Sequence, residues 1–179
     1  MTPTLSKGIE DELKFYAKTS NIDLAVLVGI VLTESSGRWV AKRYEKGYRW
    51  LWDVERHCPF HVVGRVQDFP PPEFKGILGV STPEHEWTRQ RTSYGPMQVM
   101  GAVARELGFT KDLEELNGPP GLLYGVKHLK NLRDRFMAKH TIEGVISAYN
   151  CGQPKPDTNP DYVHKVKDFA SWYRLEKLK

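Results

Sequence analysis

The chain has only two cysteines in 179 residues, Cys58 and Cys151. Two cysteines cannot build a disulfide framework, so a packed core must hold the fold, and both thiols can simply be reduced. No stretch approaches the roughly 18 consecutive apolar residues of a membrane span, which argues against stable membrane insertion. The first twenty residues lack a basic segment followed by an apolar one, so no export signal is read there. Internal repeats and low-complexity segments are also missing. Neither sign of charge dominates: 26 Lys+Arg stand against 22 Asp+Glu, for a net charge of +4. The basic residues are dispersed, so nucleic acid is not expected as a partner, although the excess suits an anionic polymer such as bacterial wall. Metal ligands are scarce too. His57-Cys58-Pro59-Phe60-His61 offers three donors in five residues. No second cluster supplies a fourth at a zinc spacing, so neither metal nor cofactor is expected.

What is present suffices for one domain with a real core, spanning residues 1–179, and a monomer is expected. Leu5, Ile9, Leu13 and Tyr16 recur at helical spacing. Asn21 and Asp23 are helix-start signals before the ten uncharged residues Leu24–Thr33, which predict a helix buried on all sides. Helical pattern fails over 38–93, a stretch holding Trp39, Trp50, Trp52, Trp87 and the run Pro70-Pro71-Pro72. It reads as loops with a short hairpin or helix. Beyond Gly95-Pro96, Met97, Met100, Val103, Ala104 and Leu107 line one helical face, with Gly108 as the stop. Further helices are expected around Leu122–Phe136, after Thr141 and from Asn159-Pro160. The class is mainly α, with an aromatic-rich insertion at about 40–92.

Glu34 closes the most apolar segment of the chain. Burial and the negative end of a helix dipole both disfavour an ionised carboxylate there, the setting a general acid needs. An ordinary helix-ending glutamate pointing into water is the alternative. Aromatic rings interleaved with amides and hydroxyls suit a sugar cleft, and an acid beside such a cleft suggests cleavage of glycosidic bonds. Taken alone, the Trp cluster fits a packed satellite core under a long loop better than it fits a sugar cleft.

Four motifs follow one another in order: Glu34-Ser35-Ser36-Gly37, Ser93-Tyr94-Gly95-Pro96-Met97-Gln98-Val99-Met100, Ala148-Tyr149-Asn150-Cys151-Gly152 and Tyr162-Val163-His164-Lys165-Val166. Together they resemble the soluble-type lytic transglycosylases, which share a lysozyme-like fold with goose-type lysozymes and whose motifs run E-S, G-L-M-Q, A-Y-N-A-G and Y-V-x-K-V. The resemblance covers roughly 22–39 and 93–170. It implies a lysozyme-like fold with Glu34 as the single acid/base. It also implies Gln98 on the cleft floor contacting sugar, Tyr149 and Asn150 lining the cleft, and Tyr162 near the carboxyl. Ser35 either contacts substrate or ends its helix, and Ser93 is a candidate for a family serine. The departures are Pro96 for Leu, Gly101 for Pro, Cys151 for Ala, and a long spacing between Glu34 and Gln98. That long insertion resembles a phage and prophage branch of wall-degrading enzymes.

The implied substrate is the peptidoglycan glycan strand, cut between N-acetylmuramic acid and N-acetylglucosamine to give a 1,6-anhydro sugar. A hydrolytic muramidase on the same fold is the alternative, and it needs a second carboxylate, for which Glu45 and Glu86 are the foremost candidates. An inactive binding or structural module of a virion or secretion apparatus is a further alternative. Action on the bacterial wall in the periplasm without an export signal implies delivery by a phage, release through a membrane hole, or a chain whose signal has been removed.

Overall fold

The computed structural model describes residues 3–177. With 52% of the described residues helical, seven α-helices and only short strands among them, it is mainly α. It divides into two compact units, Met1–Trp39 with Gly125–Lys179, and Val40–Tyr124.

The first unit contains α1 (Ile9–Ser20), α2 (Leu24–Ser35), most of α5 (Pro119–Phe136), α6 (Ile142–Cys151) and α7 (Pro160–Lys177). Residues Ala25–Leu32 are all buried, as a helix without charge on any face must be. Asp23 starts α2 by accepting the Ala25 N–H at 2.7 Å. Asn21 does not: it sits at φ 54° and closes α1. Leu5 lies ahead of α1, which begins only after Gly8 at φ 85°. The helix α7 packs along α2, and three contacts fix their direction. Glu34 meets Tyr162, Gly29 meets Val166, and Asp23 meets Arg174, so the helices are antiparallel. Gly29 sets their separation: a Cβ there would lie 2.4 Å from the Val166 carbonyl oxygen.

The second unit holds an antiparallel sheet of β1 (Lys42–Tyr44), β4 (Thr92–Tyr94) and β5 (Val99–Met100), in the order β1-β4-β5 with Arg43 opposite Ser93 and Ser93 opposite Met100. A separate hairpin pairs β2 (Trp50–Asp53) with β3 (Cys58–His61). The helices α3 (Pro83–Gln90) and α4 (Gly101–Glu106) complete it, with the first two turns of α5 and a 3-10 turn at Leu113–Leu116. Two apolar clusters serve as its core, one around Tyr94, Val99, Phe109 and Leu116, the other around Leu51, Phe74, Trp87 and Ala102. The helix expected from Met97 begins only at Gly101, because Met97 and Gln98 form the turn between β4 and β5. It still ends before Gly108, which adopts φ 89°.

Candidate active site

Glu34 is half-buried on the last turn of α2. The chain reverses immediately after it through Ser36 at φ 56° and Gly37 at φ 77°. The reversal is strapped from outside: Ser6 N–H donates to the Gly37 carbonyl at 2.8 Å, and a Cβ on Gly37 would lie 2.2 Å from the Thr4 carbonyl oxygen. Ser35 is 1% exposed. Its hydroxyl donates to the Val31 carbonyl at 3.0 Å and accepts the Arg38 N–H at 3.2 Å. It terminates the helix, the second of the two roles open to it.

Tyr162, on the first turn of α7, donates to Glu34 Oε1 at 2.6 Å. Burial first, and then the charge of Glu34 and this hydrogen bond, raise the Tyr162 pKa far above that of a free phenol. Burial and the Glu34 charge raise Tyr149 in the same way, so both phenols stay protonated at neutral pH. His128, from α5, rests its ring 5.3 Å from the Tyr149 ring. Burial pulls the imidazole pKa down to about 4, which makes it neutral at pH 7. The Glu34 carboxyl therefore has two neutral phenols beside it, and Tyr162 donates directly to it.

The frame carrying the two tyrosines is tied internally. Ser147 is fully buried, with its hydroxyl 2.9 Å from the carbonyls of Gln153 and Lys155 and 2.7 Å from Asn159 Oδ1. One hydroxyl has one hydrogen, so these are alternative acceptors for it. Asn159 Nδ2 donates to Asn150 Oδ1 at 3.0 Å, which places the exposed Asn150 at the same knot. The end of α6 and the entry to α7 are thereby held together, and with them Tyr149 and Tyr162. Neither His128 nor Ser147 carries a sequence signal for this role, whereas Asn159 was visible only as the residue before the helix-opening Pro160.

The remaining sequence-designated residues belong to the second unit. Gln98 stands at φ 50° and donates its two amide hydrogens to the carbonyls of Ala41 and Gly95, at 2.9 and 3.0 Å. Its Oε1 accepts from the buried Ser93 hydroxyl at 2.9 Å. Both side chains thus brace the β4–β5 turn, and the Gln98 amide has no hydrogen left to offer a sugar in this arrangement. Glu45 pairs with the exposed Arg43.

Glu86 does not fit the role of a second carboxylate. It is fully buried, with Oε1 2.7 Å from Arg105 Nε and Oε2 2.9 Å from Arg105 Nη2. Ser81 and Gln90 donate to it as well, at 2.6 and 3.0 Å. Burial alone would raise its pKa, but Arg105 and these donors hold it below the usual carboxylate range. Nearness in sequence to the second motif carried no information about this partner.

Among the described residues no group of three or more His, Cys, Asp or Glu side chains is placed to hold a metal ion, and Cys58 and Cys151 are free and exposed. No protein-family model, no curated protein and no solved structure matches this chain.

Proposed function

We propose that the chain is a peptidoglycan-degrading enzyme of lysozyme-like fold that cleaves the β-1,4 bond between N-acetylmuramic acid and N-acetylglucosamine by the lytic route. The observation that carries this reading is the 2.6 Å bond from Tyr162 to Glu34, made by residues 128 positions apart and belonging to the first and last of the four motifs. A carboxyl with one oxygen fixed by a phenol donor has a defined orientation, which a group that must deliver a proton requires.

In this reading Glu34 gives that proton to the bridging oxygen as the bond from the muramic acid C1 breaks. An oxocarbenium-like centre develops at C1. The carboxylate, steadied by Tyr162, then takes the proton of the muramic acid 6-hydroxyl as that oxygen bonds to C1. One acid/base serves both steps and no water is consumed. Of the two candidate second carboxylates, Glu86 is engaged by Arg105 and Glu45 by Arg43, which favours attack by a tethered hydroxyl over an activated water. Tethering supplies effective concentrations of about 10⁵–10⁸ M when alignment is good.

Mass analysis of the soluble products from purified peptidoglycan tests this. Anhydro ends are expected, one water lighter than reducing ends. Reducing ends would convert the proposal into a hydrolase, and absence of any cleavage would remove the enzyme reading altogether.

A further inference from the structure

The hairpin of β2 and β3 carries none of the residues assigned to the acid chemistry, yet it is firmly tied to its own unit. Trp50 and Trp52 stand two residues apart on β2 and so project from one face, opposite His61 and Pro59 on β3. The Trp50 ring stacks on His61 with centroids 3.9 Å apart and still leaves the residue 60% exposed. The strand beneath is rigidly held. The buried Gln90 accepts the Trp52 N–H at 2.7 Å and donates to the Trp52 carbonyl at 2.9 Å. Asp53 caps the turn by accepting the N–H groups of Glu55 and Arg56.

A cavity of about 260 Å³ lies on this hairpin, lined by Trp50, Trp52, Pro59, Tyr48 and Glu106 of α4 among others. That is below the ~300–1,000 Å³ of clefts that enclose drug-sized ligands, and suits a single ring. Tyr48 is half-buried, and burial together with the Glu106 charge pushes its pKa up to about 12. Its phenol therefore remains a hydrogen-bond donor close to a carboxylate acceptor. Aromatic faces beside an acceptor match the apolar face and hydroxyl donors of a pyranose. The ionisable side chains lining the cavity are Tyr48, His61 and Glu106, with Glu106 the one carboxylate and no Lys or Arg among the lining residues, so the site disfavours anionic ligands.

We infer that this face binds one neutral pyranose ring of a glycan strand, an N-acetylglucosamine unit in preference to an N-acetylmuramic acid, whose lactyl carboxylate would approach Glu106. The choice between those two sugars rests on the proposed function; the neutral-sugar site does not.

The test uses the full chain carrying Glu34→Gln, titrated with chitotetraose by calorimetry and intrinsic fluorescence. Adding Trp50→Ala should weaken binding about tenfold, the loss of one aromatic stack. Glu106→Gln should weaken it to a lesser degree and narrow the preference for chitotetraose over an anionic muropeptide. Both side chains are exposed, so melting temperatures should hold. Unchanged affinity in both variants, or no binding of chitotetraose at all, overturns the inference and leaves the hairpin as a packed satellite. Wall cleavage by the unmodified chain is read separately. Trp50-dependent binding without cleavage would sink the proposed function and keep this site, whereas cleavage with Trp50-independent binding would do the reverse.

Discussion

Gly29→Ala asks whether the close approach of α7 is what holds Tyr162 on the acid. The added Cβ would lie 2.4 Å from the Val166 carbonyl oxygen. Ordinary contact is near 3.5 Å, so the helices must part by roughly 1 Å. Overpacking of this kind costs about 1–3 kcal/mol. Because the obstacle is backbone and cannot swing aside, the upper part of that range applies. Alanine returns about 1 kcal/mol in helix propensity, leaving a net loss of about 2 kcal/mol. For a chain of this size that lowers Tm by about 4–8 °C. The same 1 Å, carried along α7, stretches the 2.6 Å Tyr162–Glu34 bond to the edge of hydrogen-bonding range. Activity measured well below both melting temperatures should therefore fall as well. Thermal melts and turbidity clearing of wall suspensions read the two effects, with Gly47→Ala as control, since nothing lies within 4 Å of a Cβ there. A Gly29→Ala protein that melts higher and clears walls normally would refute the reasoning.

Glu34→Gln keeps shape and removes the proton, so clearing should fall at least about a hundredfold with Tm retained; near-normal clearing would sink the acid assignment. Glu86→Gln leaves Arg105 buried without its countercharge and should cost about 3–5 kcal/mol, seen as a lower Tm, while the folded protein keeps its specific activity. Lost activity at an unchanged Tm would instead make Glu86 a participant in the chemistry. His128 has its pKa pushed down to about 4 by burial, against about 6.5 in an unfolded chain. At pH 7 the folded state lacks that proton and most of the unfolded population does too, but as pH falls through about 6.5 the unfolded chain binds it first, so stability is lost as pH falls from there to about 4. His128→Phe should remove this limb from a plot of Tm against pH, and parallel curves for the two proteins would contradict it.

The helices of the first unit were legible because each carries its own local signal. An unbroken apolar run after Asp23 admits no other reading than a buried helix, and Pro119 and Pro160 stand at helix starts where proline is tolerated. The second unit was legible only in outline: the hairpin and helix expected within 38–93 are present as β2–β3 and α3, and α4 stops before Gly108, but the three-stranded sheet was not foreseen. Its strands are only two to four residues long, too short for alternation to show against a background of Trp and Pro. Thr82-Pro83 does announce α3, but the helix is short, and its buried residues are Glu86, Trp87 and Gln90, which do not read as an apolar face. Met97 and Met100 share helical spacing with Val103 by coincidence, since a turn residue at φ 50° intervenes. The candidate site divides in the same way. The motifs point to Glu34, Tyr149 and Tyr162, but no local pattern reveals that a phenol reaches a carboxyl 128 residues away, that the Gln98 amide is engaged by backbone, or that Glu86 is matched by an arginine 19 residues on.

The distance along the chain between Glu34 and Tyr162 also orders events during synthesis. At about 5–20 residues per second, a ribosome that has made the carboxyl needs roughly 6–25 s more to make the phenol that fastens it. Until α7 emerges, α2 lacks the helix it packs along and Gly29 faces no Val166 carbonyl. A chain interrupted anywhere between residues 35 and 161 carries the Glu34 carboxyl without the hydroxyl that bonds to it. Fixing of the Glu34 carboxyl thus waits for the last helix of the unit, so unfinished chains leave that carboxyl unfastened by Tyr162.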